Sequence, residues 1–374
     1  MFGLDSIAAE NVLTRYVGST ARAFLARPFP RKSNRRLVFY YELKAISFTQ
    51  ANPFIYYADQ MRARYGVDVR CIPNSELLKG HVPRHDSADI VLLQTWFDLD
   101  SDALGRVIGL VREANPSAQI SFVDSFAHSD IRQAQALEPE ISFYIKKSRL
   151  RQESDIFRAF RGDTNLTEFY GDLYGISAEP VDWQVPRNIL PKLRLSPNFF
   201  TAPRFLKAFA RSDMPAWGGR PLDIQTRFGI NGSPWYKAMR QDALDKVRGI
   251  KGLKLSPADR VSYRDYMIEM RQSKICFSPH GYGELCWRDI EGILSGAVLV
   301  KPNMDHLESL PDLYRSDETY LPVRWDFEDL EPVIHRLLHD EDLCRYLSEN
   351  AFRAVQDYVQ NARFVDDMAF LFDN

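Results

Sequence analysis

The sequence predicts an α/β protein in which two doubly wound domains face each other across a cleft. The chain has 374 residues, and at about 150 residues per domain this length favours two domains. From residue 37 onward, short apolar runs alternate with longer amphipathic ones, as in parallel sheets covered by helices. A proline-rich and aromatic stretch at 151–215 interrupts this alternation, which restarts after Gly218 and Gly219.

The first half contains five predicted strands with helices between them. The strands lie at 37–41, 67–72, 90–93, 120–126 and 141–145, and the helices at 52–65, at 103–113 and from about residue 129. Asn52 is the predicted N-cap of the first helix, with Pro53 at its first helical position and Gly66 at its end. This half therefore predicts a parallel sheet.

The second half repeats the pattern. Its strands are predicted at 222–228, 275–278 and 297–301, and its helices at 234–247, 263–272, 285–294, 327–338 and 341–359. We expect a basic helix at 1–36, a first domain at 37–215, a second domain at 216–345, and a returning helix at 346–374. Because parallel sheets bind ligands at the carboxyl ends of their strands, the cleft between the domains is the expected active site.

Composition excludes several classes of protein. With 48 Lys and Arg against 50 Asp and Glu, the net charge is -2, so binding to nucleic acid through bulk charge is not expected. Cys71, Cys276 and Cys344 have apolar neighbours and no ligand-like spacing, which predicts buried thiols in a reducing compartment. No apolar run approaches the length of a membrane span, and no signal-peptide pattern is visible, so we expect a cytoplasmic protein.

Residues 1–36 are much more basic than the chain as a whole. Their basic side chains are Arg15, Arg22, Arg27, Arg31, Lys32, Arg35 and Arg36, against only Asp5 and Glu10. Apolar residues recur at helical spacing among them, as in helices that lie on anionic membranes. The other interpretation, which the modest amphipathic character favours, is a helix packed on the protein with its basic face in water.

The segment 275–302, ICFSPHGYGELCWRDIEGILSGAVLVKP, has the pattern of an anion site. A strand leads into a glycine-bearing turn, and a helix then runs from near Glu284 to Gly296. Glycines let the backbone approach an anion, and a helix N-terminus offers unpaired N–H groups. Arg288 and Glu291, on one helical face, suit a phosphate and a ribose diol. A chance pairing within a generic βαβ unit is the alternative.

This order of strand, turn, R-x-x-E helix and G-x-V-x-V-x-P resembles the donor-site signature of GT-B glycosyltransferases, in its exostosin-like and group-1-like variants. The resemblance implies two Rossmann-like domains. It also implies that Glu291 binds the ribose of a sugar nucleotide and that Arg288 lies near the diphosphate or donor sugar. The donor-contacting turn comprises His280, Gly281, Tyr282 and Gly283.

The sequence departs from the retaining branch of this family, which carries two glutamates separated by seven residues. Counting back from Glu291, the first of these positions is Gly283, and the nearest acid is Glu284. The retaining signature is therefore absent, and we expect an inverting enzyme.

Further cations are candidates for the donor phosphates. In similar GT-B enzymes a basic residue at the position of Arg227 neutralises the departing diphosphate without a metal, although a surface arginine beside a turn is equally consistent. Lys301 is a second, weaker candidate, because an exposed lysine before proline needs no function. Lys237 and Arg240 are expected in solvent. We expect no metal and no cofactor beyond the nucleotide sugar.

An inverting transferase needs a base that deprotonates the acceptor hydroxyl. In GT-B enzymes the base usually comes from the first domain, where Asp124 and His128 follow a predicted strand. Asp124 can instead cap a turn, and His280 is a rival base. Tyr41 and Glu42 end the first strand and are expected on the acceptor side.

The resemblance implies a glycosyltransferase that moves sugar from a nucleotide sugar to a glycan or glycolipid, in surface polysaccharide or glycoconjugate synthesis and with peripheral membrane contact. The alternatives are a nucleotide-sugar epimerase of the same fold and an inactive binding or scaffold subunit. Asp98 and Asp100 resemble a metal-binding DxD motif, but they precede a helix start and are expected to cap it.

Overall fold

The computed structural model describes residues 28–82, 87–162, 164–257 and 261–373. The strands are β1 (Arg35–Tyr41), β2 (Val67–Pro73), β3 (Ile90–Leu93), β4 (Gln119–Asp124), β5 (Phe143–Lys146), β6 (Ser148–Leu150), β7 (Leu193–Leu195), β8 (Leu222–Gln225), β9 (Ser273–Phe277), β10 (Val298–Pro302), β11 (Leu307–Ser309) and β12 (Leu321–Val323).

Fourteen α-helices accompany them within these residues. They are α1 (Ala45–Tyr56), α2 (Ala58–Tyr65), α3 (Ser75–Leu78), α4 (Ser101–Ala114), α5 (Ala134–Leu137), α6 (Glu153–Ile156), α7 (Asn165–Tyr174), α8 (Pro203–Arg211), α9 (Pro234–Gly249), α10 (Tyr263–Arg271), α11 (Trp287–Leu294), α12 (Leu330–His339), α13 (Glu341–Gln360) and α14 (Arg363–Asp367).

Two parallel sheets form the framework of the protein. The first has the order β2-β1-β3-β4-β5-β7, the second has the order β12-β10-β9-β8, and a separate antiparallel pair joins β6 to β11. In β1 the last five residues are all buried, as expected for a parallel strand that is covered on both faces. The two predicted parallel sheets are confirmed, with β6 and β11 as a direct link between the halves.

The prediction that Asn52 caps a helix is wrong, because α1 begins seven residues earlier and both Asn52 and Pro53 lie inside it. Proline has no N–H to donate to the carbonyl four residues back, here that of Thr49. That carbonyl instead accepts a hydrogen bond from Thr201 Oγ1 at 2.6 Å. The Asn52 side chain donates to the Thr201 carbonyl at 2.7 Å. A distant loop thus compensates for the helical proline.

The stretch 151–215 belongs to both halves of the molecule. Its strand β7 pairs with β5 at the edge of the first sheet, which sequence analysis did not predict. Its helix α7 packs on α9 of the second half, where the Tyr174 hydroxyl donates to Asp242 at 2.9 Å. This stretch is therefore a packed connection between the two sheets.

The sequence predicts a basic helix at the start of the chain and a returning helix at its end. Residues 1–27, with most of the expected basic helix, lie outside the described residues; 28–34 contain no helix, and Arg35 and Arg36 already belong to β1. At the other end, Phe364 packs edge-on against Phe54 with ring centres 4.9 Å apart. The last residues of the chain thus contact the first domain.

The four cysteines are all buried and free, which confirms the prediction for Cys71, Cys276 and Cys344. Burial raises the pKa of the Cys276 thiol to about 12, so this thiol stays protonated near neutral pH. Of the helices described, none combines the length and apolar character needed to cross a bilayer.

Candidate active site

The glycine turn between β9 and α11 is where the two halves of the molecule meet. Gly281 N donates to the Gly283 carbonyl at 3.0 Å and closes the turn. A Cβ atom on Gly283 would lie 1.8 Å from the carbonyl oxygen of Ala127, in the loop after β4. Only glycine permits this approach, which brings the predicted donor turn against the loop that carries His128.

Glu284 is a buried carboxylate of this turn that contacts both halves of the molecule. It accepts hydrogen bonds from Ser129 Oγ at 3.1 Å and from Asn165 Nδ2 at 3.1 Å, and His306 Nε2 lies 3.4 Å away. Burial opposes ionisation, but the hydrogen bond and charge of His306 outweigh it and hold the pKa of Glu284 well below its usual value. Glu284 is thus an ionised link between the domains.

His280 lies at the start of the turn, fully buried against α7. Its Nδ1 pairs with the Tyr170 hydroxyl at 3.2 Å, and its Nε2 has no hydrogen-bond partner among the described residues. Burial, followed by the charge of Lys301, holds the pKa of His280 well below its usual value. The ring is therefore neutral near pH 7, which fits an uncharged polar contact better than a proton acceptor.

Tyr282 provides an exposed aromatic face in the same turn. Its side chain is 45% exposed, and its ring stacks on Tyr236 with centres 4.6 Å apart. Its hydroxyl accepts a hydrogen bond from Ser233 N at 3.1 Å, which fixes the ring.

Arg288 requires a correction, because it is buried and all five of its N–H groups are engaged. Nε donates to the Phe277 carbonyl at 2.8 Å. Nη1 donates to the Arg227 carbonyl and the Tyr266 hydroxyl, and Nη2 donates to the carbonyl and side-chain oxygens of Gln225. In this arrangement the guanidinium has no N–H group left to offer a diphosphate. Arg288 instead fixes the ends of β8 and β9.

Glu291 lies on the face of α11 that meets α10 and α8. Its carboxylate accepts hydrogen bonds from Tyr266 at 2.9 Å, Tyr263 at 3.1 Å and Arg204 at 3.1 Å. Arg204 comes from α8, in the connection between the domains. The carboxylate thus accepts hydrogen bonds from one guanidinium and two hydroxyl groups. Hydroxyl groups are also the donors that a ribose diol presents.

Lys301 also requires a correction, because it is fully buried rather than exposed. Its Nζ lies 3.3 Å from Asp289, which also accepts hydrogen bonds from Ser278 Oγ at 2.6 Å and the Tyr314 hydroxyl at 2.8 Å. The backbone N–H of Cys286 donates to the same carboxylate at 3.0 Å. Lys301 neutralises the carboxylate that fixes the start of α11, so it is not free for a phosphate.

Arg227 and Arg240 are both held in place by contacts within the second domain. Arg227 pairs with Glu269 at 2.9 Å beside the end of β8. Arg240, expected in solvent, is buried instead, and donates to the carbonyls of His280 at 2.8 Å and Gly229 at 3.0 Å. Arg240 therefore holds the backbone of the glycine turn by its hydrogen bond to the His280 carbonyl. Its position on a helix did not indicate this role.

Asp124, a predicted base, is held by hydrogen bonds within the first domain. Its Oδ2 accepts hydrogen bonds from the Tyr144 hydroxyl at 2.7 Å and from Lys146 Nζ at 3.1 Å. Its Oδ1 accepts the backbone N–H of Phe126 at 2.8 Å. The alternative that Asp124 caps a turn is confirmed, with two hydrogen bonds accepted by Oδ2 and one by Oδ1.

His128, the second predicted base, lies four residues further along the same loop. Its ring packs on Phe126 with centres 4.6 Å apart, and its Nδ1 lies 3.9 Å from Asp130 Oδ2. Its backbone carbonyl accepts a hydrogen bond from Lys146 at 2.7 Å. This imidazole therefore stands next to a carboxylate, in the loop that the glycine turn touches.

The predicted acceptor residues lie elsewhere in the first domain. Tyr41 is buried in the core and packs on Phe48 with ring centres 5.3 Å apart, so its assignment to the acceptor side is wrong. Glu42 is partly exposed and accepts a hydrogen bond from Asn74 at 3.2 Å. The capping role predicted for Asp100 is confirmed, since its side chain accepts the N–H of Ala103 at 2.7 Å.

No protein-family model matches the sequence, and no curated protein matches it. Several solved structures do. An α-glucosyltransferase in complex with UDP and a 13-mer DNA containing an HMU base is 10% identical, with a TM-score of 0.51 over 91% of this chain and 100% of its own.

Two further likenesses are of the same kind. An α-glucosyltransferase in complex with UDP-glucose and DNA containing an abasic site is 9% identical, with a TM-score of 0.49 over 91% of this chain and 99% of its own. Sucrose-phosphate synthase from Thermosynechococcus elongatus is 14% identical, with a TM-score of 0.46 over 91% and 98% of the two chains. The first of the three likenesses, together with the two parallel sheets, shows that this chain has the GT-B fold that residues 275–302 predict.

Proposed function

We propose that the chain is a glycosyltransferase that moves a sugar from a nucleotide-sugar donor to a glycan or glycolipid acceptor, without a bound metal. One observation carries this proposal: β9, the glycine turn and α11 present the Glu291 carboxylate while the turn packs on the loop of His128. A fold alone does not fix an activity, whereas this unit combines a diol acceptor, an anion-binding turn and a candidate base.

The donor is proposed to be a UDP-sugar, which the α-glucosyltransferase structure solved with UDP supports as an analogy of fold. In this proposal Glu291 accepts hydrogen bonds from the ribose hydroxyls, replacing those from tyrosine and arginine. The glycine turn lets its backbone approach the diphosphate. Arg227, near the end of β8, supplies positive charge to the diphosphate only by leaving its ion pair with Glu269.

The chemical step is proposed as an inverting displacement. The acceptor oxygen attacks the anomeric carbon as the bond from that carbon to the diphosphate oxygen breaks, and His128 takes the hydroxyl proton. The electron pair of the broken bond leaves with the diphosphate. Proton NMR of the first product formed shows whether the anomeric configuration inverts.

The acceptor is proposed to be a glycan or glycolipid in surface polysaccharide or glycoconjugate synthesis, met at the cytoplasmic face of a membrane. The first structural neighbour was solved with DNA, but the net charge of -2 does not favour a DNA acceptor here, since affinity for DNA grows with released counterions. Transfer assays with DNA and with glycolipid separate the two acceptors.

Replacing Glu291 with alanine is expected to weaken UDP binding by at least about tenfold, or about 1.4 kcal/mol, because the ribose diol loses its acceptor. Titration calorimetry measures the change. Glu341→Ala, an exposed side chain at the start of α13, is the matched control. If Glu291→Ala binds UDP as tightly as Glu341→Ala and the unaltered protein do, Glu291 does not bind the ribose.

Replacing His128 with alanine is expected to lower the rate of transfer by about 100-fold or more, the usual contribution of a positioned base. UDP affinity stays within about twofold, because the group acts on the acceptor proton. Initial rates and calorimetry on the same preparation measure both quantities. If the Asp124→Asn variant folds normally and loses a similar share of the transfer rate, the base is Asp124 instead.

A further inference from the structure

Lys147 is a buried lysine between β5 and β6 that sequence analysis did not single out. Its side chain is 1% exposed. Nζ donates to the Ser125 carbonyl at 2.9 Å and lies 4.8 Å from the centre of the Phe199 ring. No carboxylate of the described residues lies within 4.0 Å of it. Its neighbour Lys146, by contrast, has Asp124 and two carbonyls as partners.

The position of Lys147 places it beside the proposed donor unit. Phe199, over which its ammonium lies, stacks on Trp287 with ring centres 4.9 Å apart and an interplanar angle of 11°. Trp287 is the first residue of α11. Ser125, which accepts its hydrogen bond, belongs to the loop on which Gly283 packs. The amine therefore lies between the strand ends of the first domain and the start of α11.

An ammonium buried without an anion is costly, and the charges around Lys147 only partly offset the cost. Burial, followed by the charge of Lys146, lowers the pKa of Lys147 to about 7, while Asp124 and Glu284 act in the opposite direction. Near neutral pH the amine is thus protonated in about half of the molecules. An incoming anion would stabilise the protonated form.

We propose that Lys147 binds an anionic oxygen of the donor diphosphate and takes up a proton from solvent as it does so. The proposal rests on the proposed function, because the anion is that of the nucleotide sugar. A diphosphate supplies the missing partner of this ammonium, and it bears the charge that grows when the sugar leaves.

Calorimetry with UDP-glucose tests the inference. Each phosphate of this probe has one ester and one anhydride linkage, so the probe lacks the ionisation near pH 6 that a terminal phosphate has. Binding measured in two buffers of different ionisation enthalpy gives the number of protons taken up. We expect proton uptake at pH 8 and much less at pH 6, and an affinity that falls as the pH rises above 7.

The variant Lys147→Met is expected to lose this uptake and to bind UDP-glucose at least about tenfold more weakly at pH 7. It should unfold at no lower a temperature than the unaltered protein, since methionine carries no buried charge. Lys79→Met removes an exposed lysine of the same domain and is expected to change neither quantity.

Three outcomes overturn the inference. They are binding of UDP-glucose without proton uptake, uptake that persists in Lys147→Met, and equal uptake with uridine, which has no diphosphate. A chain that binds no UDP-glucose counts against the proposed function and the inference together. Binding without uptake leaves the proposed function intact and removes the inference alone.

Discussion

Replacing Gly283 with alanine is expected to lower transfer activity by about 100-fold or more, which is the cost of misplacing a reacting group by about 1 Å. The added Cβ would lie 1.8 Å from the Ala127 oxygen and 2.5 Å from its carbonyl carbon. Both are backbone atoms, so no side-chain rotation relieves the clash. The turn must move away from the loop of His128, and the two halves of the proposed site separate.

The same substitution is expected to destabilise the protein by about 1–3 kcal/mol, as overpacked positions do, which thermal unfolding detects. Gly229→Ala is the matched control, because a Cβ there meets nothing within 4 Å. It should retain activity and stability. Full activity in Gly283→Ala would show that this contact between the domains is not needed for transfer.

Replacing Arg288 with methionine is expected to lower the free energy of unfolding by about 3–5 kcal/mol, since several buried acceptors lose their donor at about 1–3 kcal/mol each. The carbonyls of Gln225, Arg227 and Phe277 lose their shared donor, and each buried acceptor left unpaired adds to the cost. Urea unfolding followed by tryptophan fluorescence measures the change.

A lysine at this position is not a conservative replacement, because its three donors cannot reproduce the five of a planar guanidinium. Arg288→Lys should therefore also be destabilised, though less. Arg345→Ala, which removes an exposed arginine paired with Glu341 on α13, is expected to cost less than about 1 kcal/mol. If Arg288→Met unfolds like this control, Arg288 does not fix the ends of β8 and β9.

The fold could be predicted where short-range signals determine it. The bounds of helix α7 at 165–174 follow from such signals, since Thr164 caps its start and Gly175 ends it in a left-handed conformation. Gly296 likewise ends the helical segment before β10 with a φ of 68°. In both helices, the residue that determines a helix end lies within one turn of that end.

Features that depend on distant partners could not be predicted. Nothing near Pro53 indicates that Thr201 will satisfy the carbonyl of Thr49. In the sequence, three residues have the same description, that of a charged residue beside a strand or helix end: Lys301, Arg288 and Lys147. The structure buries each in a different environment, with a carboxylate, with carbonyls, or with no anion in reach.

The contact between segment 275–302 and the loop of His128 could be expected from the sequence, but the hydrogen-bond partners of the residues in it could not. Segment 275–302 does contact the loop after β4, as two domains facing across a cleft require. The link itself is Glu284, whose partners Ser129 and Asn165 lie more than 100 residues away in sequence. A single sequence contains no signal for such a contact.

A crystal structure of the chain soaked with UDP-glucose tests the central claim most directly. The account predicts the ribose hydroxyls within hydrogen-bond distance of Glu291, the diphosphate between the glycine turn and Lys147, and the anomeric carbon facing His128. UDP-glucose bound away from α11, or an empty cleft at a UDP-glucose concentration of several millimolar, would contradict it.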